Sequence, residues 1–302
     1  SKVTSMKGMF SYCSNLEYIN FDNFNTSLVT DMSFMFEGCI SLPQIDFSNF
    51  DTSKVTNMAS LFSECISLHS IDLSHFNTSQ VKHMEYIFYE LENLEYLDLS
   101  PLDTSNLINM DSMFTSCESL TYLDLSTLNT SKVQSMIAAF MFCTELVSIN
   151  MGNIDISSVT NLDSMFYGCS FLTSLDLSKL NTSNVVDMNF MFAFCESLVS
   201  INLTGLNTYN VYDMSGMFFD CSSLESLDLS RFNFIQVYLP SIFENCHSLT
   251  SIKFSREYKS LDEAYNAFKD CISLLSVDLF NFDFGLIEDL SNFFYGRSSL
   301  TS

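Results

Sequence analysis

The chain has 302 residues, and its 36 Asp and Glu against 12 Lys and Arg give a formal net charge of −24. Hydrophobic residues make up 47% of the chain and charged residues 16%, which excludes a disordered protein, because disorder requires low hydrophobicity together with high net charge. The scarcity of basic residues argues against a nucleic-acid partner and against an anionic membrane surface. No apolar run approaches the roughly 18 residues of a spanning helix, so we expect no direct membrane insertion.

A repeat of 26 residues runs through the whole sequence, as the spacing of Cys13, Cys39 and Cys65 shows. Residues 181–206 form a complete copy, N-T-S-N-V-V-D-M-N-F-M-F-A-F-C-E-S-L-V-S-I-N-L-T-G-L. About 11 to 12 copies fill the chain and leave no room for a linker. The repeat therefore predicts one solenoid over residues 1–302, and because both ends stop within a copy, we expect both to be truncated.

Many copies begin with the segment N-T-S, and Asn25 and Asp51 show that Asn and Asp exchange at its first position. Both side chains accept hydrogen bonds from their own backbone, so this exchange favours a turn over the N-glycosylation site that the same letters also match. The Thr and Ser of the segment, such as Thr182 and Ser183, are expected to cap the structure that follows.

The next segment has the pattern V-x-x-M-x-x-M-F-x-x-C. In one copy Val159, Leu162, Met165, Phe166 and Cys169 recur at steps of three and four residues. This spacing is typical of one or two turns of helix with a single buried face. A short second strand around the Val is the alternative.

The last segment of each copy, S-L-x-x-L-D-L-S, has the L-x-x-L-x-L spacing of a leucine-rich repeat. Leu175 and Leu177 alternate with Asp176, which predicts a strand over residues 175–178. One copy cannot bury both apolar segments alone, so the copies are predicted to stack as a right-handed α/β solenoid with parallel strands. Interior columns follow, including Leu120, Leu146, Leu172 and Leu198, and Phe24, Phe50, Phe76 and Phe232.

These motifs resemble the 26-residue repeat of the BspA-like leucine-rich surface proteins, which are bacterial surface lipoproteins. The resemblance covers essentially all 302 residues. It implies an extracellular or cell-surface solenoid of adhesion or interaction type, with its anchor outside this sequence. The family has no shared catalytic residues to carry over.

The ten cysteines occupy one position of the repeat, and Leu91 takes that position in one copy. Side chains stacked in parallel do not turn toward each other as a disulfide requires. A line of thiols also does not give the tetrahedron of a zinc site. We therefore predict buried free thiols that act as small apolar side chains.

A row of acidic residues lies between the two strand leucines and is predicted to face outward. Stacked carboxylates repel one another, and we expect relief where Asn interrupts the row, from raised carboxyl pKa values, or from bound cations. Ser follows each Asp two residues later, and tyrosines flank the row. The candidate binding residues on this strand face are Asp46, Asp72, Asp98, Asp124, Asp176, Asp228, Tyr96 and Tyr122.

Several functions remain open for this face. It could bind a basic protein surface, a glycan stacked on tyrosine, or calcium, or its Asp and Ser could simply close turns. The carboxylates share one environment, so no acid is separated from a base, and we expect neither an enzyme nor a cofactor or metal site. The leading prediction is an adhesion or interaction module; the alternatives are a structural spacer, with end-to-end self-association, and an intracellular (cytoplasmic) recognition repeat.

Overall fold

The computed structural model describes residues 2–255, 259–280, 282–297 and 299–301. The chain divides into two compact units, residues 1–158 and 159–302. Within each unit, successive 26-residue coils stack so that equivalent positions become neighbours. The prediction of one uninterrupted solenoid over the whole chain stays a prediction.

The strands are short and pair only in parallel within the described residues. They are β1 Tyr122–Asp124, β2 Ser148–Asn150, β3 Ser174–Asp176, β4 Ser200–Asn202, β5 Ser226–Leu229, β6 Ile235–Tyr238, β7 Ser251–Phe254, β8 Lys259–Glu263 and β9 Phe282–Asp283. In the first unit β1 pairs with β2, and Tyr122 lies opposite Ser148. In the second unit β3 pairs with β4, β5 pairs with β7, and β8 lies between β6 and β9.

The predicted strand over residues 175–178 begins one residue too late and ends two residues too late, because β3 spans Ser174–Asp176. The earlier copies are less regular than predicted. Their equivalent segments, residues 18–20, 44–46, 70–72 and 96–98, do not form strands. The strand side is therefore not one continuous sheet within the first unit.

The predicted helix in the V-x-x-M-x-x-M-F-x-x-C segment is wrong, since none of the described residues is helical. The α/β class is therefore wrong, and the coils form a parallel β-solenoid. Single parallel bridges lie two residues after most of the Val positions. They agree with the alternative of a second strand in place and direction, but most of them are isolated pairs and not strands. In this second ladder the bridges are Ser5 to Asp31, Asp31 to Asn57, Asn57 to His83, His83 to Asn109 and Asn109 to Ser135, and, in the second unit, Asn161 to Asp187, Asp187 to Asp213 and Asp213 to Tyr238.

Hydrogen bonding explains why this segment is not a helix. The Met32 and Phe34 amides donate to carbonyls of the next coil, at 3.0 and 2.9 Å, whereas the Met35 amide donates to Met32 of its own coil at 3.3 Å. A helix would use all of these amides within the segment. Here the amides alternate between carbonyls of the next coil and carbonyls of their own coil. Each coil can therefore make tight turns and also bond its neighbour, with Phe34 and Gly38 at positive φ of 60° and 68°.

The core consists of columns of identical side chains, as the repeat predicted. Phe10, Phe36 and Phe62 stack with ring centroids 5.6 and 6.5 Å apart. These separations lie within the range of offset-stacked rings. The predicted interior leucines Leu120, Leu146, Leu172 and Leu198 are all 0% exposed, and in the predicted Phe column Phe50, Phe76 and Phe232 are buried.

The cysteines are free, and nine of the ten are buried. They are more than apolar side chains, because each buried thiol with a resolved partner contacts a backbone carbonyl of the preceding coil. Cys65 Sγ lies 3.0 Å from the Phe36 oxygen and Cys117 Sγ lies 3.1 Å from the Phe88 oxygen. Burial raises the pKa of Cys39 to about 11 and that of Cys143 to about 12. These thiols therefore stay protonated and unreactive at neutral pH.

The Thr of N-T-S is buried and does not cap its own coil, contrary to the prediction. Thr104 Oγ1 donates to the Asn129 carbonyl at 3.0 Å and accepts from the Asn129 amide at 2.8 Å. The same two-bond clip joins Thr26 to Asp51 and Thr52 to Asn77. The Asn of N-T-S forms the predicted turn, because Asn25 Oδ1 accepts from the Ser27 amide at 3.2 Å.

Replacement of Thr104 by Val tests the clip, since Val keeps the shape but removes both hydrogen bonds. The Asn129 amide and carbonyl would lose their partner, so we expect the free energy of unfolding to fall by about 2 to 3 kcal/mol. Urea unfolding followed by circular dichroism measures this change. The exposed Thr127→Val is the matched control and should change stability by less than about 0.5 kcal/mol; equal effects of the two substitutions would contradict the clip.

Thiol titration tests the cysteine column. With no reductant present, the folded chain should show one rapidly reacting thiol, because Cys13 is exposed and the other nine are buried. Ten thiols should react after denaturation. The Cys13→Ser variant should show none when folded, and fewer than nine in the denatured variant would indicate disulfides and refute the free-thiol column.

Candidate binding surface on the strand face

The acidic row lies outside the core, as predicted. Asp46, Asp72, Asp98, Asp176 and Asp228 are exposed, whereas Asp124 is half-buried. Each lies between two apolar neighbours that point into the core; Leu97 and Leu99, which flank Asp98, are only 5% and 2% exposed. The alternation of the extended segment thus places every carboxylate of the row on the strand face.

Stacking brings members of the row together within each unit. In the first unit Asp124 lies opposite Asn150, whose Nδ2 donates to Asp124 Oδ1 at 2.9 Å. In the second unit Asp176 lies opposite Asn202, and Lys253 Nζ lies 2.8 Å from Asp228 Oδ2. Asn and Lys therefore relieve the repulsion between carboxylates at these positions, as expected for the Asn residues.

Each carboxylate of the row also closes a turn. Asp98 Oδ1 accepts from the Ser100 amide at 2.9 Å, and Asp124 Oδ1 accepts from the Ser126 amide at 2.8 Å. This Asx turn ends the extended segment and redirects the chain. It recurs in the pairs Asp46 with Ser48, Asp72 with Ser74, Asp176 with Ser178 and Asp228 with Ser230, each at 2.9 Å.

These bonds set the charge state of the row. Hydrogen bonds from Ser48 and Ser74 lower the pKa values of Asp46 and Asp72. Asp124 and Asp176 are lowered in the same way, and Lys253 together with Ser230 lowers the pKa of Asp228 to about 2. The expectation of raised pKa values is therefore wrong for these five carboxylates, because bonding to the charged form outweighs repulsion between neighbours.

Four of the eight candidate residues share one cavity in the first unit. Tyr96, Asp98, Tyr122 and Asp124 line a shallow cavity of about 160 Å³ together with Thr127. The two rings are 65% and 47% exposed. Aromatic faces can stack on a sugar ring while the neighbouring carboxylates accept hydrogen bonds from its hydroxyls. The same groups can contact the cationic side chains of a protein. We call this the strand-face cavity.

The other four candidates do not join that cavity. Asp46 and Asp72 lie in the same unit, and Asp72 lines a separate small cavity with Gln44 and Ser70. Asp176 and Asp228 belong to the second unit. Within the described part of the chain, no group of three His, Cys, Asp or Glu residues is placed to hold a metal ion.

Sequence reasoning missed a larger open cavity of about 1060 Å³ in the second unit, which Ile252, Lys253, Phe254, Asp278 and Phe280 line among others. Lys253 stands where the row otherwise has Asp or Asn, and Phe280 is 78% exposed. The break in the acidic row at Lys253 was the available signal. The repeat could not reveal the cavity itself, because the copies around it are irregular.

The family described as "Mycoplasma protein of unknown function, DUF285" matches residues 1–96, 67–170, 88–196 and 134–255. None of the curated proteins matches the chain significantly. None of the described residues lies in a helix with the length and hydrophobicity of a membrane span.

Several solved structures that are similar to this chain are described as leucine-rich-repeat proteins. One from T. pallidum is 22% identical, covers 67% of this chain and 84% of its own, and has a TM-score of 0.43. One from Eubacterium ventriosum is 16% identical and has a TM-score of 0.46, and the match covers 95% of this chain and 88% of that protein's chain. A leucine-rich cell surface protein from Faecalibacterium prausnitzii is 20% identical and has a TM-score of 0.32, and the match covers 84% of this chain and 77% of that protein's chain. The BspA-like assignment stays a prediction.

Replacement of Asp72, Asp124 and Asp176 by Asn tests the turn role of the row, since Asn also accepts the Ser amide. Because folding lowers the pKa values of these carboxyls, their contribution to stability is present above the unfolded value of about 3.9 and is lost as the pH falls through the folded values. We expect the variant to be folded at pH 7 and to lose less stability than the wild type between about pH 4 and pH 2. Urea unfolding at pH 7, 4 and 2 measures this; parallel losses in both chains would contradict the turn role.

Proposed function

The chain belongs to the DUF285 family, and we propose that it is an interaction module whose strand face binds a protein or a glycan. The observation that carries this proposal is the strand-face cavity, where Tyr96 and Tyr122 are exposed beside Asp98 and Asp124. Large exposed aromatic side chains in a row are characteristic of binding surfaces rather than of inert ones.

Binding fits this surface better than catalysis. The carboxylates Asp46, Asp72, Asp124, Asp176 and Asp228 all have lowered pKa values. General acid and base catalysis requires two groups with separated pKa values, and one of them near the working pH. We therefore propose a protein that is not an enzyme and needs no cofactor or metal.

A cell-surface location with an adhesive role is the finer form of the proposal. The motifs that resemble the BspA-like repeat support it, as does an acidic surface that leaves few Lys and Arg for nucleic acid. A structural spacer is the second candidate. One observation favours it: every candidate Asp closes a turn with the Ser two residues later, and this use of the carboxylate needs no ligand.

A matched pair of variants separates the two candidates. The strand-face variant carries Tyr96→Ala, Tyr122→Ala, Asp98→Asn and Asp124→Asn, in which Asn preserves the turns. The control carries Tyr12→Ala, Tyr86→Ala, Asp51→Asn and Asp103→Asn, which removes two exposed tyrosines and two turn carboxylates from other surfaces of the same unit. Both variants have the same net charge.

The probes are a printed glycan array and a protein microarray, and circular dichroism verifies that both variants fold. We expect the wild type and the control to bind the same spots, and the strand-face variant to bind them at least about tenfold more weakly, because central aromatic contacts dominate binding energy. If the strand-face variant binds as well as the control, the strand face is not the binding surface. If the wild type binds neither array, the spacer is favoured.

A further inference from the structure

A second exposed aromatic surface lies on the second-ladder side of the second unit, away from the acidic row. Tyr212, Tyr238 and Tyr265 are 56%, 41% and 37% exposed. We call these three residues the tyrosine patch. Exposed tyrosines gathered from several coils are not needed for the fold, since the equivalent positions of other copies carry other residues such as Val186 and Lys82.

Backbone pairing places the three tyrosines on neighbouring coils. The Tyr238 amide donates to the Tyr212 carbonyl at 2.8 Å. The Ser241 amide, three residues after Tyr238, donates to the Tyr265 carbonyl at 2.9 Å. The patch thus steps from one coil to the next, with each tyrosine held by the hydrogen bonds that join the coils.

Carboxylates border the tyrosine patch. Asp213 is bridged to Tyr238, and Glu263 lies opposite Tyr238 in the pairing of β6 with β8. Partial burial of the ring, and after it the nearby Glu263, Tyr265 and Asp213, raise the pKa of the Tyr238 phenol. The surface around the rings therefore carries negative potential.

One of these carboxylates is incompletely bonded. Glu263 Oε2 is shielded from solvent and has no hydrogen-bond donor, and the Asn266 side-chain oxygen three residues later is in the same state. Because these two oxygens are closed to solvent, they are not contact points for a ligand. The carboxylates Asp213 and Glu263 beside Tyr238 fit a positively charged ligand better than a neutral sugar, which would bring them no counter-charge.

We propose that the tyrosine patch binds an arginine-containing segment of a partner protein. A guanidinium stacks on tyrosine faces and donates through up to five N–H groups, whereas an ammonium is a compact and strongly hydrated charge. Charge complementarity selects this partner. The site differs from the strand-face cavity, so it stands or fails independently of the proposed function.

The test measures binding of fluorescent deca-arginine and deca-lysine to the full chain by anisotropy at about 0.15 M salt. The patch variant is Tyr212→Ala, Tyr238→Ala and Tyr265→Ala. The control variant is Tyr12→Ala, Tyr86→Ala and Tyr295→Ala, which removes three exposed tyrosines that lie outside both the tyrosine patch and the strand-face cavity and leaves the net charge unchanged. Thermal unfolding verifies that both are folded.

We expect the wild type to bind deca-arginine more tightly than deca-lysine, and the patch variant to lose about tenfold or more in affinity for deca-arginine, from three cation–π contacts. The control variant should lose less than about twofold. Equal losses in both variants, no loss in either, or equal affinity of the wild type for the two peptides would each overturn the proposal, because binding would then reflect only the overall negative charge. A loss confined to the control variant would also overturn it.

Discussion

The structure depends on how the backbone amides of the V-x-x-M-x-x-M-F-x-x-C segment are divided. Every second amide bonds a carbonyl of the next coil, as Met58 does to His83 and Ser60 does to Glu85, both at 2.9 Å. The amides between them close turns within the coil. This division fixes the register between coils, and the side-chain columns follow from it. The Phe stack, the thiol contacts and the Thr clips are all consequences of a constant offset between neighbouring chains.

The acidic composition has a local cause in this arrangement. Three positions of the repeat form Asx turns, as Asp46, Asp51 and Asn57 show in successive parts of one coil. Asp and Asn serve equally well there, because the bond uses only one side-chain oxygen. Charge can therefore accumulate without any cost to the turn. The turns explain the Asp residues of the strand face but not its exposed tyrosines. A ligand for this face must therefore be inferred from the tyrosines.

The repeat step predicted which residues share a column, because a constant separation needs no knowledge of local conformation. It predicted the buried leucines and thiols and the outward Asp row on that basis. The prediction of a helix was wrong for a physical reason. Steps of three and four residues also arise when turns at positive φ alternate, and residues such as Ser60 (54°) and Ala138 (53°) adopt that conformation without any glycine to signal it. The lowered pKa values and the strand-face cavity likewise depend on distances that the sequence does not contain.

The last coil shows what a column requires. Arg297 occupies the cysteine position, and its Nε donates to the Phe268 carbonyl at 3.1 Å, at the same separation along the chain as the bond from Cys65 to Phe36. Its guanidinium also lies over the Phe294 ring, with 4.8 Å between Cζ and the ring centroid. Leu91 fills the same position with no donor at all and is fully buried. The bond to the carbonyl of the preceding coil is therefore made by a thiol or by a guanidinium, and Leu91 shows that a buried apolar side chain can also fill the position without it.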